Sequence, residues 1–248
     1  MGTVREVSQQ LFRKVCFDPK WLFLFIGISQ AHLITYLYGS YLVLWLDSFV
    51  HSGVIENTKD VEVIFSRMTF FAIPSTVTLI VATGYLADMV KPVFLIAPAF
   101  LLRAFACYFF KHVTDPNGHL AYLLCILLIS GSILQVISLE SLFMKSLSRD
   151  VRGAMTILLC FFLESASLGF NGIGGPIFDT LGPASPFILI AIFDVALFAF
   201  SILLGASGHL TPGEDGISKE EREALLSQKE KDAQEVAQNY GAIPAQKK

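Results

Sequence analysis

Six stretches of about 18–25 residues pass through this chain almost without charge, and they limit its fold more than any other feature. They lie at about 21–46, 68–87, 93–110, 120–140, 153–172 and 187–206. A helix rises ~1.5 Å per residue, so each run matches a hydrocarbon layer ~30 Å thick. In lipid every backbone N–H and C=O must find its partner inside the protein, which leaves helices or a closed barrel. The runs lack the alternation of barrel strands. The expected fold class is therefore an all-α membrane protein with six transmembrane helices. Composition agrees: 54% of the 248 residues are hydrophobic and 16% charged, against roughly 25% charged in soluble domains.

The charges that remain set an expected orientation. Arg5, Arg13, Lys14 and Lys20 precede the first run, Lys91 follows the second, and Lys145, Arg149 and Arg152 follow the fourth. The opposite side has only Lys59, Arg67 and Lys111. The positive-inside rule then places both termini in the cytosol. The expected organisation is a cytosolic segment at 1–20, a six-helix membrane domain at 21–206 and a charged cytosolic tail at 207–248, partly helical or disordered. In the tail, Ser218 and Glu221 are spaced as a capping box. "EREALL" (221–226) fits an acidic dileucine sorting pattern and "YGAI" (240–243) a Tyr-x-x-hydrophobic one. These strings leave plasma membrane and endosome or lysosome both open. No cleavable signal peptide is expected, because the first run is too long for one. "MGTVRE" lacks the Ser or Thr of a myristoylation site.

The chain carries an internal echo. Residues 84–92 read "GYLADMVKP" and residues 175–183 read "GPIFDTLGP". At this offset of 91, Gly84, Asp88 and Pro92 fall on Gly175, Asp179 and Pro183. Both stretches close the second helix of a three-helix group. Gly, Asp and Pro are also ordinary helix-end residues. Two groups with an odd number of spans have opposite topology, as in the inverted repeats of secondary transporters. The same offset carries Arg103, in the third run, onto Asp194, in the sixth.

Ionisable groups deep in a span cost roughly 2.5–3.5 kcal/mol or more and usually have a partner or a task. His32, Arg103, Glu164 and Asp194 all lie near mid-depth. Arg103 and Asp194 are expected to form a buried structural ion pair, with direct transport chemistry as the alternative; a separation of the charged groups above about 6 Å would rule the pair out. Glu164, whose equivalent is Ile73, either carries a proton or hydrogen-bonds to nearby serine or backbone. His32, among Ser29, Gln30, Thr35 and Tyr36, suggests a wet face lining a path, although such groups also join helices. Gln135 is a weaker candidate of the same kind. The Gly-rich "GFNGIGGP" (169–176) lacks the strand and helix of a phosphate loop and is read as close helix packing. Cys16, Cys107, Cys125 and Cys160 form no Cys-x-x-Cys pair and are expected to be inert buried thiols. No metal, cofactor or nucleic acid is expected. Motifs of rhomboid-like proteases, aquaporins, mitochondrial carriers and voltage sensors are missing from the sequence, so an enzyme is not expected.

"GYLADMVKP" resembles the first half of the G-x-L-A-D-R-x-G-R-R loop motif of the major facilitator superfamily. Gly84, Leu86, Ala87 and Asp88 match, while Met89, Lys91 and Pro92 replace the Arg, Gly and Arg of its second half. "RDVRG" (149–153) resembles the family's basic stretch before the fifth helix. "GGPIFDTLGPASPF" (174–187) resembles its fifth–sixth junction, especially of a C-terminal half. The resemblance covers about 21–206. It implies a six-helix half of that fold, built from two inverted three-helix repeats, that moves a small solute by alternating access. His32 and Gln135 would then face the path and Glu164 would lie near the rocking interface. Gly84, Asp88, Arg149 and Arg152 would belong to a gate, and Arg103 and Asp194 to supporting helices. Family members usually have twelve spans, so a second six-helix half is the expected partner, either another copy or another chain. The alternative is a non-transporting accessory or scaffold subunit with the same half fold.

Overall fold

A computed structural model describes residues 18–147 and 149–210. The expectations for the first 17 residues and for the tail beyond 210, including Cys16 and the sorting strings, lie outside the described residues. The described residues form six helices long and apolar enough to cross a membrane, with no strand among them. These are α1 (Pro19–His51), α2 (Thr58–Met89), α3 (Val93–Phe109), α4 (His119–Lys145), α5 (Arg149–Leu181) and α6 (Ser185–Ala206). The features are those of a multi-pass membrane protein.

Local sequence explains where the helices start and stop. Asp18 caps α1 by accepting from the Lys20 amide at 2.9 Å, and Pro19 occupies the first turn, where a missing N–H costs nothing. Near its middle α1 is irregular, with a break at Leu33 and a π-helical turn at Leu37–Tyr41. Pro92 begins α3 and Gly182, at φ 96°, ends α5. The helices extend beyond the charge-free runs: α2 begins at Thr58 rather than 68, and α5 covers 149–181 rather than 153–172. Charge marks where lipid ends, not where the helix ends. Within α2, the hydroxyls of Ser75, Thr76 and Thr78 donate to carbonyls of their own helix, next to Pro74.

Two apolar clusters fill the bundle. One gathers Phe23, Phe25, Phe100 and Phe143 near the start of α1, and the other Trp45, Phe110 and Phe187 near its end. The helices share this burial unequally. In the most apolar window of each helix, 39–56% of residues are buried for α1, α3, α4 and α6, but 11% for α2 and 17% for α5. The outer faces of α2 and α5 therefore carry many uncovered large apolar side chains, among them Phe70, Val81, Ile157 and Leu168.

Candidate functional site

Between the two apolar clusters lies a single polar layer. The offset of 91 residues already associates its two charged members, and the fold brings them into contact. Arg103 on α3 donates from Nη2 to Asp194 Oδ1 at 2.7 Å and from Nε to Oδ2 at 2.8 Å, a two-pronged pair. Arg103 is 1% exposed and Asp194 0%. Gln30 on α1 closes the arrangement from both sides. Its Nε2 donates to Asp194 Oδ1 at 2.9 Å and its Oε1 accepts from Arg103 Nη2. Arg103 Nη1 also points at the carbonyls of Gln30 and Ala31, at 3.4 and 3.3 Å. Gln135 on α4 donates to Asp194 Oδ1 at 3.1 Å and to the Ala99 carbonyl at 3.3 Å.

Four helices thus meet at one carboxylate. Gly131 lets α3 approach α4 there, because a Cβ at that position would stand 2.9 Å from the Arg103 amide nitrogen. Water does not reach either charge. Arg103–Asp194 is a structural clamp in this geometry. Gln135 belongs to it and is wholly buried, so the structure moves it from an expected path-lining position into the clamp. Its Oε1 is buried without a hydrogen-bond partner.

The polar stripe expected around His32 also divides. Gln30 and His32 differ by about 200° around a helix, so they cannot share one face. Ser29 and Gln30 turn into the bundle, whereas His32 is 39% exposed and donates to Glu140 Oε1 at 2.9 Å. Glu140, 44% exposed, projects from α4. A helical side chain leans toward its own N-terminus, and α1 and α4 pack with the start of one beside the end of the other, as the Trp21–Phe143 contact shows. The two side chains therefore lean toward one another. Sequence reasoning missed Glu140 because it closes the fourth apolar run and reads there as a boundary charge. Its signal was the helix continuing to Lys145.

Glu164 stands apart from both groups. It is exposed on α5, in one outward stripe with Ile157, Phe161 and Leu168. No hydrogen bond to serine or backbone holds it among the described residues. His32, Gln135 and Glu164 thus occupy three separate environments. Cys107 and Cys125 are buried, but Cys160 is exposed on α5, against the expectation of burial. Among the described residues nothing packs over the outer face of the helix there.

At the end of α2, Lys145 reaches from α4 to donate to the Ala87 carbonyl at 2.8 Å. A cation at a helix C-terminus meets the negative end of its dipole. Gly84 lies in open space on the last turns of α2, and Arg152 is exposed on the first turn of α5. The gate contacts expected of the Asp88 and Arg149 side chains lie outside the described residues. The chain matches no protein-family model, no curated protein and no solved structure.

Proposed function

We propose that this chain is a six-helix half of a facilitator-type secondary transporter, which moves a small solute by alternating access together with a second six-helix half. The observation that carries the reading is the Arg103–Asp194 contact. Residues equivalent under an inverted repeat meet only where they lie near its two-fold axis, and these two meet at 2.7 Å in the middle of the bundle. Part of the helix packing follows the same exchange: shifting by one three-helix unit turns the α1–α5 packing into α4–α2 and the α3–α4 packing into α6–α1, and all four pairs pack, whereas α1–α2 and α5–α6 pack without close packing of their equivalents α4–α5 and α2–α3. The orientation with both termini in the cytosol rests on the basic residues alone.

Glu164 and the bare faces of α2 and α5 support the second half. A carboxylate directed at lipid near mid-depth is costly, roughly 2.5–3.5 kcal/mol on insertion scales. A partner over α5 would cover it and its apolar neighbours. The half-exposed His32–Glu140 pair, on the helices expected to line the path, is the candidate contact for solute or proton. Purified chain in proteoliposomes tests the reading. The expected result is saturable uptake of one solute from a labelled panel, lost in His32→Ala and Glu140→Gln at normal expression.

One observation favours the accessory reading. The groove of about 670 Å³ among α1, α2 and α4 is lined half by Ile and Val, and most of its hydroxyls are engaged: Tyr38 and Thr69 bond to each other at 2.6 Å, and Thr76 and Ser132 donate to carbonyls of their own helices. It offers a polar solute few partners. No uptake of any solute, alongside a stably co-purifying membrane protein, is the outcome that reading requires.

A further inference from the structure

At the end of the bundle where α2 begins, the first turns of α2 and α4 line an open cleft of about 1140 Å³. That is somewhat larger than the roughly 300–1,000 Å³ typical of small-molecule sites. Its floor is the edge contact between Phe71 and Tyr122, with ring centres 5.8 Å apart. Its lining changes character with depth. Glu62, Arg67 and His119 lie toward the helix starts, while Phe70, Leu123 and Ile126 lie deeper. Glu62 and Arg67 have no hydrogen-bond or ion-pair partner among the described residues, and both are exposed.

The depth of Arg67 gives this gradient a meaning. From Arg67 to Ala87, the end of the membrane-length segment, α2 rises about 30 Å, the thickness of a hydrocarbon layer. Arg67 therefore stands at the boundary between headgroups and acyl chains, with Phe70 and Phe71 just inside it. A cation and an anion at headgroup level, above an apolar channel, match one molecule in charge and in polarity. That molecule is a phospholipid bearing both a phosphate and an ammonium group.

We propose that the α2–α4 cleft is a binding site for a zwitterionic glycerophospholipid with a primary-amine headgroup. Arg67 pairs with the phosphate, for which a guanidinium offers a planar fork of donors. Glu62 accepts from the ammonium, which a quaternary headgroup without N–H donors does not satisfy. One acyl chain lies along Phe70, Leu123 and Ile126. The site needs the chain to span a membrane and any second half to leave the start of α2 uncovered, but it does not depend on whether the chain transports.

Native mass spectrometry of the full chain tests the proposal. The chain is purified in detergent and given equal amounts of phosphatidylethanolamine, phosphatidylcholine and phosphatidylglycerol. Retention of phosphatidylethanolamine above the other two is expected. Arg67→Ala lowers that adduct by roughly tenfold. Glu62→Gln removes the preference for ethanolamine over choline while phosphate binding remains. Lys111→Ala, at a lysine lying over the Tyr108 ring away from the cleft, leaves all adducts unchanged. Equal retention of the three lipids overturns the proposal, as do adducts insensitive to Arg67→Ala. Copy-to-copy cross-linking through Phe70→Cys in place of a lipid adduct also overturns it, because a second copy then fills the cleft. Melting curves matching the native chain show that loss of the adduct is not loss of the fold.

Discussion

Replacing Asp194 by asparagine preserves its shape and removes its charge, which makes it the sharpest probe of the central layer. In the native chain the carboxylate receives four donors: two from Arg103 and one each from Gln30 and Gln135. Asparagine has one acceptor oxygen, so an amide N–H must then face at least one of those donors. Arg103 also remains cationic, 1% exposed and without a counter-charge. Breaking a buried pair by removing one partner costs about 3–5 kcal/mol. Arg103→Met costs less, about 2–3 kcal/mol, because the carboxylate left behind keeps its two amide donors. In the double variant neither charge is left stranded, and the asparagine oxygen still accepts from the glutamines. The double variant therefore costs about 2 kcal/mol less than the two single effects added together, a coupling of that size. Denaturant unfolding in mixed micelles reads this directly, since Trp21 and Trp45 are both buried in the two apolar clusters and report by fluorescence. Additive single effects, with coupling below about 0.5 kcal/mol, would refute the clamp.

Further outcomes follow from the same geometry. Exchanging the charges, Arg103→Asp with Asp194→Arg, fails to restore stability, because the Gln30 and Gln135 amides that donate to Asp194 would then face a guanidinium; expression and melting temperature measure it. Gln30→Met destabilises more than Gln135→Met, since Gln30 bonds both charged residues while Gln135 carries an unpartnered oxygen; the same unfolding assay should separate them by about 1 kcal/mol. Gly131→Ala costs about 1–3 kcal/mol, because its Cβ meets Arg103 backbone rather than a flexible side-chain tip, whereas Gly84→Ala enters open space and leaves the melt unchanged or slightly raised. Glu164→Leu shifts the oligomer distribution in native mass spectra if a second half lies over α5, and leaves it unchanged if lipid does.

The sequence made the helix count, and the association of Arg103 with Asp194, legible for a physical reason. Charge is so costly in lipid that its absence maps the spans, and an internal offset survives where two residues must meet. What it hid depends on direction around a helix. Gln30 and His32 stand two residues apart and read as one polar stripe, yet one is sealed in the clamp and the other half-exposed. Gln135 looked like a path residue because its type and depth fit one, and only packing against α3 and α6 reveals the clamp. Glu140 and Lys145 were read as boundary charges, but their long side chains reach other helices, to His32 and to the Ala87 carbonyl. The break at Leu33 carried no proline or glycine, and the π-turn held only the Gly39–Ser40 pair, which allows a bend without fixing its kind.

The clamp also limits which parts of the bundle can move. It ties α1, α3, α4 and α6 to one carboxylate, and each tie lost within a dry interior costs on the order of 1–3 kcal/mol. Sliding any of these four helices past the others breaks several at once. Neither α2 nor α5 contributes a side chain to it, and they are also the least buried helices. Under the transporter reading, the four clamped helices move as one body, and changes within the half fall on α2 and α5. The His32–Glu140 pair joins α1 to α4 inside the clamped body, so its distance should stay constant through a transport cycle while distances from α5 to a second half change. Spin labels at Cys160, already exposed on α5, measure the second quantity. A distance distribution there that stays single with and without a transported solute would remove alternating access from this half, whatever its partner.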